Sequence, residues 1–396
     1  MVNPKRKDEF SMKKLTKRIL AGLALSLSVF TFAPAITPLT EAAIVQSEKY
    51  FKYEGAITPY LHKVHYTDYT YDSTGKTYAE FVYPACSVVR NGNFIGRNFD
   101  YFYNDVPEFI VYVDGTESRL ASIGVARPQN IREADVLAGK VSDEDMMLIP
   151  NLMTDGINEK GVFICFNIVN NEGKILTGSN PGKEDLNVWL AVREVLNKAT
   201  SADNAVDILQ NRNISGDLGG IENFHFMIAD AEKTYVVEFI NGRLVADEKK
   251  GDKQIMTNFY CNLPELSEHS VGIERYQILR TNYAEGTTFK GMQHLLWRAR
   301  FSETYNLKAD PLRYSDTGMY SLSAVKNGKL KEIKKFLKEQ AKEFKYIIDN
   351  DIRNKSLEEC FWITTSNSTY DIQNRKFNIF VQEDYDHEFS FSLADK

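Results

Sequence analysis

The stretch Pro84–Tyr101, PACSVVRNGNFIGRNFDY, places a cysteine, an arginine and an aspartate within fifteen residues, at Cys86, Arg97 and Asp100. A positive neighbour lowers the pKa of a thiol and favours the nucleophilic thiolate. No histidine stands nearby in sequence to act as its base. A cut between Ala85 and Cys86 would supply one. The new α-amino group, with an unperturbed pKa of about 7.7–8.0, suits proton transfer near neutrality. A nucleophile served by its own amine is a known way to activate Ser, Thr or Cys. Asp100 would then hold the ammonium group in place. The cut leaves 311 residues, enough for a full catalytic domain. The competing reading is plainer: Cys86 is a small buried hydrophobe at a strand start, and Arg97 lies on a solvated face.

The elements that must position these groups begin with a hairpin. Asn91-Gly92 is a strong signal for a two-residue type I′ turn. Counting outward, that turn sets Val88 against Ile95, Ser87 against Gly96 and Cys86 against Arg97. Opposed residues share a face with Cβ atoms about 5 Å apart. Gly96 leaves room beside the thiol, and Asp100 comes within reach of the Cys86 backbone nitrogen if the strand bends. Further strands are expected at Lys160–Val169 and in a hairpin of Phe224–Asp230 with Thr234–Ile240. A helix over Leu186–Lys198 puts Trp189, Val192 and Leu196 on one face. Ser201 caps a second helix carrying Ala205, Ile208 and Leu209. A lysine-rich helix over Leu330–Tyr346 and a closing hairpin turning at Asn374-Arg375 complete the order. Strands, a helix pair, then strands again predict an α+β domain with helices packed on antiparallel sheet. No internal repeat interrupts it.

Composition narrows the class. The chain has 396 residues, 43% hydrophobic and 26% charged, which is ordinary for a globular protein. The net charge of −6 argues against a nucleic-acid partner. The aromatic content of 12% leans towards sheet. Four scattered cysteines, Cys86, Cys165, Cys261 and Cys360, show no CxxC spacing. Six histidines show no metal-ligand spacing, so neither metal nor cofactor is expected. Lys13, Lys14, Lys17 and Arg18 precede the apolar run Ile19–Phe32 and a small-residue site at Ala33-Pro34-Ala35. This reads as an export signal, with an uncleaved anchor as the alternative. The expected organisation is a leader over 1–43, a tyrosine-rich pro-segment over 44–85 and a catalytic domain over 86–396. The mature chain is expected outside the cytoplasm, secreted or at the cell surface, without a stable membrane span. Homo-oligomerisation is left open.

Four motifs in order carry a resemblance. Cys86 with Gly96–Tyr101 (GRNFDY), then Asp155–Val162 (DGINEKGV), Met256–Phe259 (MTNF) and Glu274–Tyr276 (ERY) resemble the choloylglycine hydrolase, or linear amide C-N hydrolase, family of N-terminal-nucleophile hydrolases. The resemblance implies a four-layer αββα sandwich and a Cys86 nucleophile supported by Arg97 and Asp100. It implies that Asn258 helps form the oxyanion hole and that Arg275 steadies the nucleophile. Asn167 is the nearest match to a second oxyanion-hole asparagine; its alternative role is to cap the following loop. The long leader before the cysteine looks more like the acid ceramidase and N-acylethanolamine amidase relatives, where an internal cut creates the terminal cysteine. The implied substrate is a small-molecule linear amide: a conjugated bile salt, penicillin V, or an N-acyl amino acid or lipid. Acyl transfer through the same acyl-enzyme, and a non-catalytic exported binding protein on the same fold, are the alternatives. The chain has no GxSxG signature of a serine hydrolase.

Overall fold

In the computed structural model Gly92, at φ +59°, turns the first hairpin, between β3 (Ala85–Asn91) and β4 (Phe94–Phe102). The structure describes residues 50–58, 60–69, 85–102, 106–128, 130–169, 181–215, 223–240, 242–251, 254–263, 272–300 and 362–395. The turn residues are Gly92-Asn93, not Asn91-Gly92, because Asn91 pairs with Phe94. Of the two, only Gly92 has a positive φ, which is the type II′ requirement of a glycine at the first central position. This corrects the expected register. Cys86 faces Phe99 rather than Arg97, and Ser87 faces Asn98 rather than Gly96. The slip preserves parity, so Arg97 still shares the Cys86 face as its diagonal neighbour.

The hairpin lies in a six-stranded antiparallel sheet among the described residues. Its order is β14 (Ile255–Met256), β3, β4, β15 (Trp362–Asp371), β16 (Lys376–Val381) and β17 (Phe389–Ser392). The nine-stranded sheet begins with β1 (Phe51–Thr58) and β2 (Leu61–Tyr66) and continues through β5 (Glu108–Val113), β6 (Ser122–Ala126) and β7 (Met153–Asn158). It ends with β8 (Phe163–Ile168), β11 (Phe224–Ala229), β12 (Thr234–Ile240) and β13 (Arg243–Glu248). Only β2 and β5 pair in parallel within it. A small parallel pair, β9 (Glu184–Asn187) and β10 (Arg212–Ser215), stands apart.

Three apolar layers define the stacking. Between the sheets, Val88, Ile95, Ile110, Ile123, Phe163, Met227, Tyr370 and Phe377 pack together. On the outer face of the larger sheet, Ile164, Phe166 and Phe226 meet Trp189, Val192 and Leu196 from α3 (Val188–Lys198), beside α4 (Ala202–Gln210). On the outer face of the smaller sheet, Val89 and Ile255 meet Leu279 of α5 (Ile273–Thr281) and Met292, Leu295 and Leu296 of α6 (Phe289–Arg298). Helix, sheet, sheet, helix is the expected αββα order. Strand β8 alternates Phe163 and Cys165 inward with Ile164 and Phe166 outward, and so reads as one apolar run because both its faces are buried.

Local signals set the element ends. The Asn187 side chain accepts from the Trp189 N–H and starts α3 two residues later than expected, after β9. Ser201 caps α4 as expected, accepting from the Asn204 N–H. A Cβ on Gly96 would lie 2.7 Å from Met292 Sδ, so this glycine admits α6 to the sheet rather than space to the thiol.

Residues 50–69 show no clear hydrophobic period, yet they form β1 and β2 at the sheet edge, with Leu61, Val64 and Tyr66 fully buried. His62 sits 2.7 Å from Glu133 Oε2, within α1 (Glu133–Leu137), and Tyr53 Oη is 2.6 Å from His62 Nδ1. The leader, the Leu330–Tyr346 helix and Cys360 lie outside the described residues. Among the described residues no helix is long and apolar enough to cross a membrane.

Candidate active site

Cys86 is buried, and its backbone is clamped from both sides. The Cys86 N–H donates to Asn258 Oδ1 at 2.9 Å. Arg275, from α5, donates through Nη1 to the Cys86 carbonyl at 2.5 Å and through Nη2 to Asn258 Oδ1 at 2.7 Å. Both groups facing Asn258 Oδ1 are donors, which fixes the amide orientation. Asn258 Nδ2 then donates to the Ile168 carbonyl at 2.7 Å. Asn258 can reach Cys86 because β14 pairs with β3, Met256 opposite Val88, just before the MTNF turn.

Arg97 crosses the space between the sheets. It is ion-paired through Nη1 to Asp155 of β7 and donates through Nη2 to the Phe166 carbonyl of β8 at 2.9 Å. Asp155 also accepts from Tyr370 Oη and Thr154 Oγ1, each at 2.6 Å. The guanidinium lies 5.0 Å from the Phe99 ring centroid, on the face it shares with Cys86. Asp100 points the other way, towards the helix layer. It lies 3.3 Å from Arg275 Nη1 and accepts from Thr364 Oγ1 at 2.7 Å. The expected bond between the Asp100 side chain and the Cys86 nitrogen is therefore replaced by Asn258, and the Asp100 carboxylate reaches the Cys86 backbone through Arg275. Asn167 shares the inward face of β8 with Cys165. Its Nδ2 donates to the Thr257 carbonyl at 3.2 Å, and its Oδ1 has no hydrogen-bond partner. Its nitrogen is thus committed to the turn carrying Asn258, rather than to the loop after β8.

Burial governs the electrostatics. It pushes the Cys86 thiol up to about 11, and Arg97, Arg275 and a backbone hydrogen bond from Asp100 only partly counter it. Burial also raises the Asp100 carboxyl to about 7, against the pull of Arg275 and the Thr364 hydroxyl. The Arg97 guanidinium stays charged, held by Asp155. In the uncut chain the thiol is accordingly protonated at neutral pH.

The structure gathers five of the six candidate residues around one backbone position, with Asn167 one turn residue away through Thr257. Asp155, Thr364 and Tyr370 were not singled out as site residues. Asp155 stands inside the DGINEKGV motif and was within reach; Thr364 and Tyr370 enter only through β15. His225, Glu238 and Cys261 bring metal-ligand atom types within 4.8 Å of one another. Glu238 accepts from the Cys261 and Asn262 N–H groups, and His225 Nε2 donates to the Thr257 carbonyl, so hydrogen bonds within the protein already use the ligand atoms of both.

The chain is similar to several known proteins. The family described as acyl-coenzyme A:6-aminopenicillanic acid acyl-transferase matches residues 89–282. No curated protein matches the chain. Among solved structures, a variant of conjugated bile acid hydrolase from Clostridium perfringens is 17% identical, covers 79% of this chain and 93% of its own, and superposes with a TM-score of 0.42. Penicillin V acylase from Agrobacterium tumefaciens is 13% identical over 78% of this chain and 86% of its own, at a TM-score of 0.38. The Caenorhabditis elegans N-acylethanolamine-hydrolyzing acid amidase ortholog is 13% identical over 54% and 85%, at 0.33. The family match spans 194 of the 396 residues and takes in the GRNFDY, DGINEKGV, MTNF and ERY motifs from which the resemblance was read, while Cys86 lies just before it.

Proposed function

We propose that Cys86, freed by cleavage of the Ala85–Cys86 bond, is the nucleophile of an exported linear-amide hydrolase. The observation that carries this reading is the clamp on the Cys86 nitrogen. Asn258 Oδ1, oriented by Arg275, holds a backbone nitrogen that would become an α-amine beside its own sulfur.

For the cut itself, the thiol adds to the Ala85 carbonyl, the Ala85–Cys86 C–N bond breaks, and water hydrolyses the resulting thioester. In turnover, the α-amine takes the thiol proton and the sulfur attacks the substrate carbonyl. Asn258 Nδ2 and Asn167 Nδ2 are the oxyanion donors, each through the second N–H of its amide beside the one given to the Ile168 or Thr257 carbonyl, one such donor being worth roughly 3–4 kcal/mol of barrier. The α-ammonium protonates the leaving amine as its C–N bond breaks. Water, deprotonated by the same amine, then hydrolyses the thioester. Arg97 lends positive charge to the sulfur, and Asp100 holds Arg275. The substrate class is a conjugated bile salt, a penicillin V-like amide or an N-acyl amino acid or lipid.

After the cut, residues 50–69 would stay in place, since β2 remains paired with β5 and His62 with Glu133. Acyl transfer to an amine or thiol is the second reading, favoured by the acyl-transferase description of the matched family. N-terminal sequencing of purified protein tests the cut, and a panel of glycocholate, penicillin V and N-acyl lipids, with and without added acceptor amines, tests the chemistry. A chain still joined at Ala85–Cys86 that hydrolyses these amides would overturn the mechanism. An uncut, inactive chain would favour a binding protein.

A further inference from the structure

We infer that His225 and Glu238 are positioning residues for the oxyanion side of the site, holding the Thr257–Asn262 turn and through it Asn258. The inference rests on the reading of Cys86 as nucleophile. His225 pairs with Asn167 on one side and with Glu238 on the other, so the three side chains form a row across β8, β11 and β12. The row faces the second sheet, as do Cys165, Met227 and Val236 two residues along each strand. Phe163, Cys165, Met227, Ala229 and Val236 fill most other positions on this face of the three strands. An acid and an imidazole buried here are costly unless every polar atom finds a partner.

They find partners in one turn. Glu238 Oε1 accepts from the Cys261 N–H at 2.7 Å and lies 3.1 Å from His225 Nδ1, while Oε2 accepts from the Asn262 N–H at 3.0 Å. His225 Nε2 donates to the Thr257 carbonyl at 2.8 Å, the oxygen that Asn167 Nδ2 also reaches. The backbone is thus gripped immediately before Asn258 and again three and four residues after it. Asn258 lies between the grips, and its amide oxygen holds the Cys86 nitrogen. An error of about 1 Å in a reacting group costs up to roughly 100-fold in rate. The hydrogen bonds to Thr257, Cys261 and Asn262 hold the backbone from which Asn258 reaches Arg275, Ile168 and the Cys86 nitrogen.

The test uses the full chain carrying Glu238→Gln or His225→Gln, each alone and combined with Asn258→Ala. Three quantities are read: the rate of cleavage before Cys86 by mass, kcat and KM on an amide from the panel, and the side-chain amide signals of Asn258 in asparagine-labelled protein. Each single variant is expected to shift the Asn258 signals and slow cleavage. Each is expected to lower kcat roughly 10–100-fold with little change in KM. In the Asn258→Ala background the same substitution is expected to cost less than about threefold, because both act through one amide. Fully multiplicative losses, or unmoved Asn258 signals in a folded variant, overturn the inference. If the unaltered protein neither cuts itself nor hydrolyses any amide, the hydrolase reading fails, and the Asn258 signals alone decide the positioning role. If Glu238→Gln does not fold, His225→Gln, which keeps one N–H donor, carries the test.

Discussion

Replacing Arg275 with methionine should make the stability of this protein fall with pH in a way that depends on Asp100. Arg275 bonds the Cys86 carbonyl, Asn258 Oδ1 and Asp100, and all four groups are buried. The Asp100 carboxyl stands at about 7 even with Arg275 present, because burial outweighs the guanidinium. A carboxyl raised in this way keeps its proton in the folded state after the unfolded chain has lost it near pH 4. The folded state binds more protons across that window, so stability falls as pH rises and levels off only above the folded pKa. In the unaltered chain the fall ends near pH 7. Arg275→Met removes the main influence lowering the carboxyl pKa, so the fall continues past pH 7 at about 1.4 kcal/mol per pH unit. By pH 9 the two proteins should differ by about 3 kcal/mol more than at pH 6, within the range for an orphaned buried charge. Urea unfolding from pH 5 to 9, in a Cys86→Ala background to prevent cleavage, gives these values. Asp100→Asn combined with Arg275→Met should remove the extra slope. If the double variant keeps it, Asp100 is not the group that Arg275 holds, and the reasoning fails.

Asn258→Ala should lower kcat by roughly 10²–10³ in cleaved protein, as loss of an oxyanion donor does, with the fold retained by circular dichroism. Cys86 in uncut protein should titrate near pH 11, its thiolate fraction rising about tenfold per pH unit below that, measured as the absorbance difference from Cys86→Ser. After cleavage the ammonium beside the sulfur should move that midpoint down; an unchanged midpoint would remove the amine from the mechanism. Gly96→Ala should cost about 1–3 kcal/mol, seen as a lower Tm, because its Cβ would sit 2.7 Å from Met292 Sδ and 2.9 Å from the Leu296 side chain.

The sequence by itself determined what short-range physics can encode. Asn91, Gly92 and the β-favouring residues beside them fixed a hairpin, Ser201 fixed a helix start, and the apolar run Phe163–Ile168 fixed a strand buried on both faces. The four motifs, each weak alone, marked the candidate residues. Parity along β4 placed Arg97 on the thiol face even though the turn slipped, because side-chain alternation survives a shift of two. The slip itself was not legible, since both turn types accept glycine and the choice between them also reflects packing of the strands outside the turn.

Tertiary structure decided what touches Cys86. Its nitrogen meets a residue 172 positions away, and its carbonyl one 189 away. No local rule spans such separations. They close only when β14 lies beside β3 and α5 covers the sheet. The partners of Asp100 and Arg97, the edge strands formed by residues 50–69, and the buried His225–Glu238 pair have the same origin. Taking a charge out of water forces a partner to exist, but the folded sheets choose which partner it is.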